Sequence, residues 1–179
     1  MIKLLLVLSM ISQAPPSSSY ILSDFSQSKE GSQWYVVDDR VMGGISQGEM
    51  LSLADGTGIF KGDVSTANNG GFSSVRKPIR FENKQGYNTI FLKVKGDGKS
   101  YQFRIKEKPS DQFSYIQNFK TSGQWEVIEL QLRDFYPVFR GRNLRLPNFG
   151  GKFIREIAFL IGNKVNEKFA LEIETIYLK

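Results

Sequence analysis

Residues 90–106 read Ile90-Phe91-Leu92-Lys93-Val94-Lys95-Gly96-Asp97-Gly98-Lys99-Ser100-Tyr101-Gln102-Phe103-Arg104-Ile105-Lys106. Ile90, Leu92 and Val94 alternate with Phe91, Lys93 and Lys95, and Tyr101, Phe103 and Ile105 alternate with Gln102, Arg104 and Lys106. A period of two puts one set of side chains on each face of a pleated strand. Between the two runs, Gly96-Asp97-Gly98 supplies the positive φ that tight reversals need, so the strands are expected to form a hairpin.

Outward from this core, the same logic marks strands over residues 49–53, 58–64, 71–76, 113–119, 125–132, 156–161 and 169–178, which are short and aromatic or β-branched. Loops containing Gly, Asn, Asp or Pro separate most of them. In the last run the apolar residues are Phe169, Leu171 and Ile173, then Ile176 and Leu178. That change of parity predicts a β-bulge near Glu174-Thr175. Residues 132–139 form the one candidate short helix. About eight or nine strands without crossover helices predict an all-β, antiparallel jelly-roll β-sandwich.

Composition narrows the chemistry. The 179 residues include 14 Phe and 7 Tyr, enough aromatic volume to fill one core over residues 20–179. Cys and His are both absent. That excludes disulfides, thiol nucleophiles, a Ser-His-Asp triad and imidazole-held zinc. The net charge is +6, part of it in Arg140, Arg142, Arg145, Lys152 and Arg155, a stretch that reads either as a solvated basic loop or as a face for an anionic partner. No nucleic-acid-binding signature accompanies it.

The N-terminus reads as an address. Lys3 precedes the apolar run Leu4-Leu5-Leu6-Val7-Leu8-Ser9-Met10-Ile11, and the small residues Ser17 and Ser19 follow Pro15-Pro16. This is the layout of a secretory signal peptide over residues 1–19, cleaved before Tyr20, with too short an apolar stretch to span a bilayer. The mature chain is then exported to the periplasm or the extracellular space and is no integral membrane protein. A chain that kept Met1 would stay cytoplasmic.

Two glycine-rich stretches do not read as ordinary strand connections: Trp34-Tyr35-Val36-Val37-Asp38-Asp39-Arg40-Val41-Met42-Gly43-Gly44-Ile45-Ser46, and Phe60-Lys61-Gly62-Asp63-Val64-Ser65 leading to Asn68-Asn69-Gly70-Gly71-Phe72-Ser73-Ser74-Val75-Arg76. Their glycine pairs permit left-handed turns or close backbone approach. Asp38 and Asp39 have several readings: caps for backbone N–H groups in a turn, partners of Arg76 or another base beneath the loops, or oxygen ligands of a calcium ion. A catalytic acid and nucleophile is a fourth, opposed by the opposite directions of adjacent strand side chains. Met42 reads as core filler before ligand contact. Pairing of Asp38 or Asp39 with Arg76 is expected to bring residues 38–46 and 68–76 together as the functional surface.

Together with Gly96-Asp97-Gly98 and Tyr101, these stretches resemble the complex I intermediate-associated protein 30 family. The pattern Trp34-x-x-x-Asp38-Asp39-x-Val41-Met42-Gly43-Gly44-x-Ser46 carries most of the resemblance. Phe119-x-Thr121 before Trp125, Asp134-Phe135, and Phe169-x-Leu171-Glu172-Ile173-x-x-Ile176 extend it over residues 24–179. The resemblance implies a galactose-binding-like jelly roll and a non-enzymatic role, since the mitochondrial members act as assembly chaperones for respiratory complex I.

The expected function is therefore a non-catalytic, chaperone-like or scaffolding domain that binds a protein partner; the alternative is a carbohydrate-binding module of an exported protein. No catalytic residue, metal site or cofactor is assigned. The candidate binding surface comprises Asp38, Asp39, Met42, Gly43, Gly44, Asn69, Gly70, Gly71, Phe72, Arg76, Asp97 and Tyr101. Exposed Trp34 and Trp125 flanking a groove would point to sugar; a flat apolar patch rimmed by arginines would point to protein.

Overall fold

The computed structural model describes residues 19–179; the leader expected over residues 1–19 lies outside them, Ser19 apart. In chain order the strands are β1 (Tyr20–Asp24), β2 (Tyr35–Asp38), β3 (Gln47–Ser52), β4 (Gly58–Val64), β5 (Ser73–Glu82), β6 (Thr89–Lys95) and β7 (Ser100–Lys106). They continue as β8 (Ser114–Lys120), β9 (Trp125–Gln131), β10 (Tyr136–Phe139), β11 (Arg142–Asn143), β12 (Phe153–Ile161) and β13 (Glu167–Leu178). Among the described residues they form two antiparallel sheets. One has six strands, ordered β3-β4-β13-β6-β9 with β1 added on β13; the other has seven, ordered β11-β10-β8-β7-β12-β5-β2.

The hairpin expected over residues 90–106 does not form. Strand β6 lies between β13 and β9 in the six-stranded sheet, while β7 lies between β12 and β8 in the other. Ile90, Leu92 and Val94 face Tyr101, Phe103 and Ile105 across the core, all fully buried. Alternation shows that each strand has an apolar face but not which sheet that face belongs to, so a corner between sheets reads like a hairpin. Asp97 holds the corner. It accepts hydrogen bonds from the Tyr101 hydroxyl at 2.9 Å on one sheet and from the Ala170 amide at 3.0 Å on the other.

The β13 bulge stands where the parity change put it: Ile173 and Thr175 flank a register shift against β6, and Phe169, Leu171, Ile173, Ile176 and Leu178 are all buried. Residues 132–139 are a correction. They make one 3-10 turn, Leu132–Asp134, and then enter β10. Strands β1, β2, β10 and β11 carry too little alternation to be read from sequence, and tertiary pairing makes them.

Interdigitating aromatics fill the space between the sheets. Phe159 is edge-on to Phe103 at 5.1 Å, with Trp34 stacked on it at 6.0 Å. Full burial of each such side chain contributes about 1.5–3 kcal/mol. One ion pair sits in this interior: Lys77 and Glu30, both buried, are in contact, and Lys77 Nζ also donates to the Leu22 carbonyl at 3.1 Å. Trp34 Nε1 donates to the same Glu30 carboxylate at 3.3 Å, so one charge cluster fastens the first strand and turn to β5.

Candidate functional site

The two glycine-rich stretches meet around Asp39. Its carboxylate accepts the Ser46 amide at 3.0 Å, the Gly71 amide at 2.6 Å, the Phe72 amide at 3.2 Å and the Ser46 hydroxyl. Its own amide donates to the Phe72 carbonyl at 3.3 Å. Burial pushes the Asp39 carboxyl up, but the hydrogen bonds from Ser46, Gly71 and Phe72 outweigh it, and the group titrates below the ordinary carboxylate range. Glycine is required here by contact. A Cβ on Gly44 would lie 2.2 Å from Asp39 Oδ1, and one on Gly70 would lie 2.6 Å from Oδ2. Gly43, at φ +89°, ends the 3-10 turn that begins at Asp39. Asp38 does the same work on a smaller scale, accepting the Gly48 amide at 3.1 Å and the Ser73 hydroxyl at 2.6 Å.

Capping is thus the role of both acids, and the expected pairing with Arg76 is wrong. Asp38 faces Ser73 across the β2–β5 pair, while Arg76 faces Tyr35, three positions along. Arg76 reaches Glu156 instead, at 3.7 Å. Four donors converge on Asp39, so a cation there would meet N–H and O–H hydrogens, which opposes the calcium reading. Among the described residues no group of three acids stands close enough to hold a metal ion. Asp97 and Tyr101 also leave the candidate surface: Tyr101 is buried in the core, and Asp97 is its partner at the corner.

What the sequence reading missed is the outer face of the seven-stranded sheet. Register aligns one residue from each of six strands in a single row: Tyr35, Arg76, Ala158, Arg104, Ile116 and Tyr136. Beside it run Ser74, Leu160, Gln102 and Asn118. Of these, Arg76, Arg104, Gln102 and Leu160 line a groove of about 400 Å³, together with Met42, Asn69, Gly71, Phe72, Val138, Phe139, Arg140 and Lys106 among others. Met42, expected in the core, is 52% exposed on its rim. The Asp39 cluster therefore acts indirectly, setting the loop that carries Met42, Gly71 and Phe72 at one edge. At the opposite edge the β10–β11 turn places Arg140 and Gly141 at φ +48° and +75°, the pair of positive values that a two-residue hairpin turn requires. Arg140 lies over the Phe139 ring at 5.3 Å. Lys152 and Arg155 instead cover Phe153, so the basic segment divides between groove and elsewhere.

The floor is unevenly satisfied. Tyr35 donates to Glu156 at 2.9 Å, and Asn118 donates to the Tyr136 hydroxyl at 2.9 Å. Arg104 directs Nε and Nη2 at Gln102 Oε1, 3.0 and 2.8 Å away, and forms no ion pair with another described residue. Burial, with repulsion from Arg76, lowers its pKa to about 10. Ser74 Oγ and Arg76 Nε are buried without a hydrogen-bond partner among the described residues. Of the two tryptophans, Trp34 is 6% exposed in the core and Trp125 projects from β9 in the other sheet, so neither flanks the groove. A second cavity, of about 280 Å³, lies by Asn83 and Phe149, where the Asn83 amide already donates to the Tyr87 and Gly151 carbonyls.

A sequence model of the complex I intermediate-associated protein 30 family matches residues 23–173. The chain belongs to this family. The mitochondrial complex I intermediate-associated protein 30 of Mus musculus is 23% identical over an alignment 180 positions long, which covers 87% of this chain and 55% of the mouse protein. The chain thus spans about half the length of that curated relative of the complex I intermediate-associated protein 30 family. Among solved structures, the family 11 carbohydrate-binding module of the Clostridium thermocellum cellulase Lic26A-Cel5E superposes with a TM-score of 0.66 at 17% identity, covering 92% of this chain and 95% of the module. A family 11 module from the same organism, in complex with a β-1,3-1,4-mixed-linked tetrasaccharide, gives 0.63 at 17% identity over 89% and 94%. These likenesses establish the jelly-roll, galactose-binding-like fold for a member of the complex I intermediate-associated protein 30 family.

Proposed function

We propose that this chain is a non-catalytic binding domain that receives a segment of a protein partner in the groove on its seven-stranded sheet, in an assembly or scaffolding role like that named for its family. One observation carries the reading: the groove combines exposed Met42 and the apolar surfaces of Phe72, Phe139 and Leu160 with arginines, the composition of a protein-binding surface. The chain offers no general base of the imidazole or thiolate kind, and Asp38, Asp39 and Glu156 are all held by neighbours. In this reading residues 1–19 act as an export signal and the mature chain works in the periplasm or outside the cell. No helix among the described residues is long and apolar enough to cross a membrane.

A photo-cross-linking side chain at Met42, in the full chain within its native organism, tests this. It should trap one protein reproducibly, while the same group at Trp125 should not. Trapping only from Trp125 would overturn the assignment of the groove.

A carbohydrate ligand is the second reading, supported by the planar polar groups Gln102 in the groove and Asn118, Tyr136 and Tyr35 on the same sheet face and by the fold shared with carbohydrate-binding modules. Against it, the two tyrosine hydroxyls are already hydrogen-bonded and no tryptophan face opens on the groove. Retardation of the native chain in gels containing mixed-linked β-glucan, lost in a Gln102→Ala variant, would favour this reading over the protein partner.

A further inference from the structure

Resting on the groove as a protein-binding site, we propose that Arg76 and Arg104 together form an anchor for a carboxylate on an acidic, extended segment of the partner. Both project from one register row on the same face of the sheet, separated only by Ala158. Two strand spacings put their Cα atoms about 10 Å apart. Two long side chains converging over a residue as small as Ala158 can therefore enclose one carboxylate between their planar forks.

The donors there are unevenly engaged. Arg76 Nε has no acceptor although it is buried, and Ser74 Oγ, two residues along the same strand, is in the same state. Among the described residues Arg104 hydrogen-bonds only to the neutral Gln102 amide. A buried donor without an acceptor is costly, and an arriving carboxylate would remove that cost while cancelling the repulsion between the two guanidinium groups. Charge points the same way, because the residues lining the groove include Arg76, Arg104, Lys106 and Arg140 and no acid, and Glu156, beside Arg76, is already shared by Arg76 and Tyr35. The occupant is a peptide and not a polyuronate because Met42, Phe72 and Leu160 flank the anchor and suit apolar side chains between acidic ones.

The test uses an acetylated, amidated hexaglutamate peptide, its hexaglutamine counterpart and a galacturonate hexamer, each titrated into the full chain. Affinity is read by calorimetry, and the Arg76 and Arg104 Nε–H resonances by NMR. Hexaglutamate should bind and shift both resonances while hexaglutamine does neither. Arg104→Gln and Arg76→Gln should each weaken hexaglutamate by about tenfold or more, the loss of one charged fork, whereas Lys168→Gln, on the other sheet, should leave it unchanged. Thermal unfolding of each variant confirms that it is folded, and Arg104→Lys, which keeps the charge without the fork, should bind less tightly than the native chain.

The anchor is overturned if hexaglutamate leaves both resonances in place, or if both Arg→Gln variants bind it within twofold of the native chain. Tighter binding of the galacturonate hexamer than of hexaglutamate also overturns it, in favour of an acidic polysaccharide. If the Met42 cross-link still traps a protein while hexaglutamate fails, the anchor alone falls. If hexaglutamate binds and the Met42 cross-link fails, the protein-partner reading falls instead.

Discussion

At Asp39 four donors meet one carboxylate, and both of its oxygens are engaged. At Arg104, some strands away on the same sheet, a cation faces a neutral amide, with a second arginine beside it and an unpaired Nε nearby. Both clusters are polar and substantially buried, yet they do opposite things. The first joins two loops that would otherwise have no reason to meet, and its glycines are small because Asp39 occupies the space. The second joins only neighbouring strands, through the Arg76–Glu156 pair at 3.7 Å. Completed hydrogen bonding marks a structural device, and incomplete bonding on a concave face marks a place where another molecule completes it.

The largest expected effect of breaking this contrast is at Asp39. Asp39→Ala leaves buried donors without an acceptor and should cost about 3 kcal/mol or more, lowering Tm by about 6–12 °C for a domain of this size. The sign with pH follows from the direction of its shift. A carboxyl whose folded pKa lies below its unfolded value, about 3.9, contributes stability that is complete above that value and is lost as pH falls through the folded pKa. Stability of the native chain should therefore drop steeply below about pH 4, and Asp39→Ala should flatten that drop. Denaturant midpoints measured between neutral and acid pH decide both. An Asp39→Ala chain as stable as the native one would make the cluster incidental.

Next in size is the question of which acid holds Arg76. Arg76→Ala combined with Glu156→Gln should be non-additive by about 1 kcal/mol, since the pair is largely buried but its charged atoms stand 3.7 Å apart. Combined with Asp39→Ala it should be additive, because no interaction joins them. Coupling to Asp39 and not to Glu156 would restore the pairing inferred from sequence.

That mistaken pairing shows where sequence legibility ends. Local periodicity located β4, β6, β7 and β13 closely, including the β13 bulge, because each of those strands buries alternate side chains and records its own burial. The glycine pairs located the meeting of two loops, because a missing Cβ is a record of something close by. Strand order leaves no such record. Gln102, Arg104 and Lys106 read as ordinary outward residues of β7, and only the insertion of β12 between β7 and β5 brings Arg104 level with Arg76. The same ignorance of partner strands turned a corner between sheets into a hairpin and placed Met42 in the core.

The smallest effect is the most discriminating, because its sign differs from the first. Burial and the neighbouring Arg76 disfavour the charged form of Arg104, so folding keeps a cation where it is poorly compensated. Arg104→Gln removes that cation and loses only hydrogen bonds to Gln102, themselves made to a neutral acceptor. The variant should thus be as stable as the native chain or more stable by up to about 1 kcal/mol, a gain moderated by the solvent that reaches the groove. A residue kept at a cost to stability is one whose compensation comes from elsewhere, and the proposed anchor makes the ligand its source. Denaturant unfolding at neutral pH decides it. A loss exceeding about 1 kcal/mol would show that Arg104 braces the sheet as Asp39 braces the loops, and the difference between the two regions would disappear.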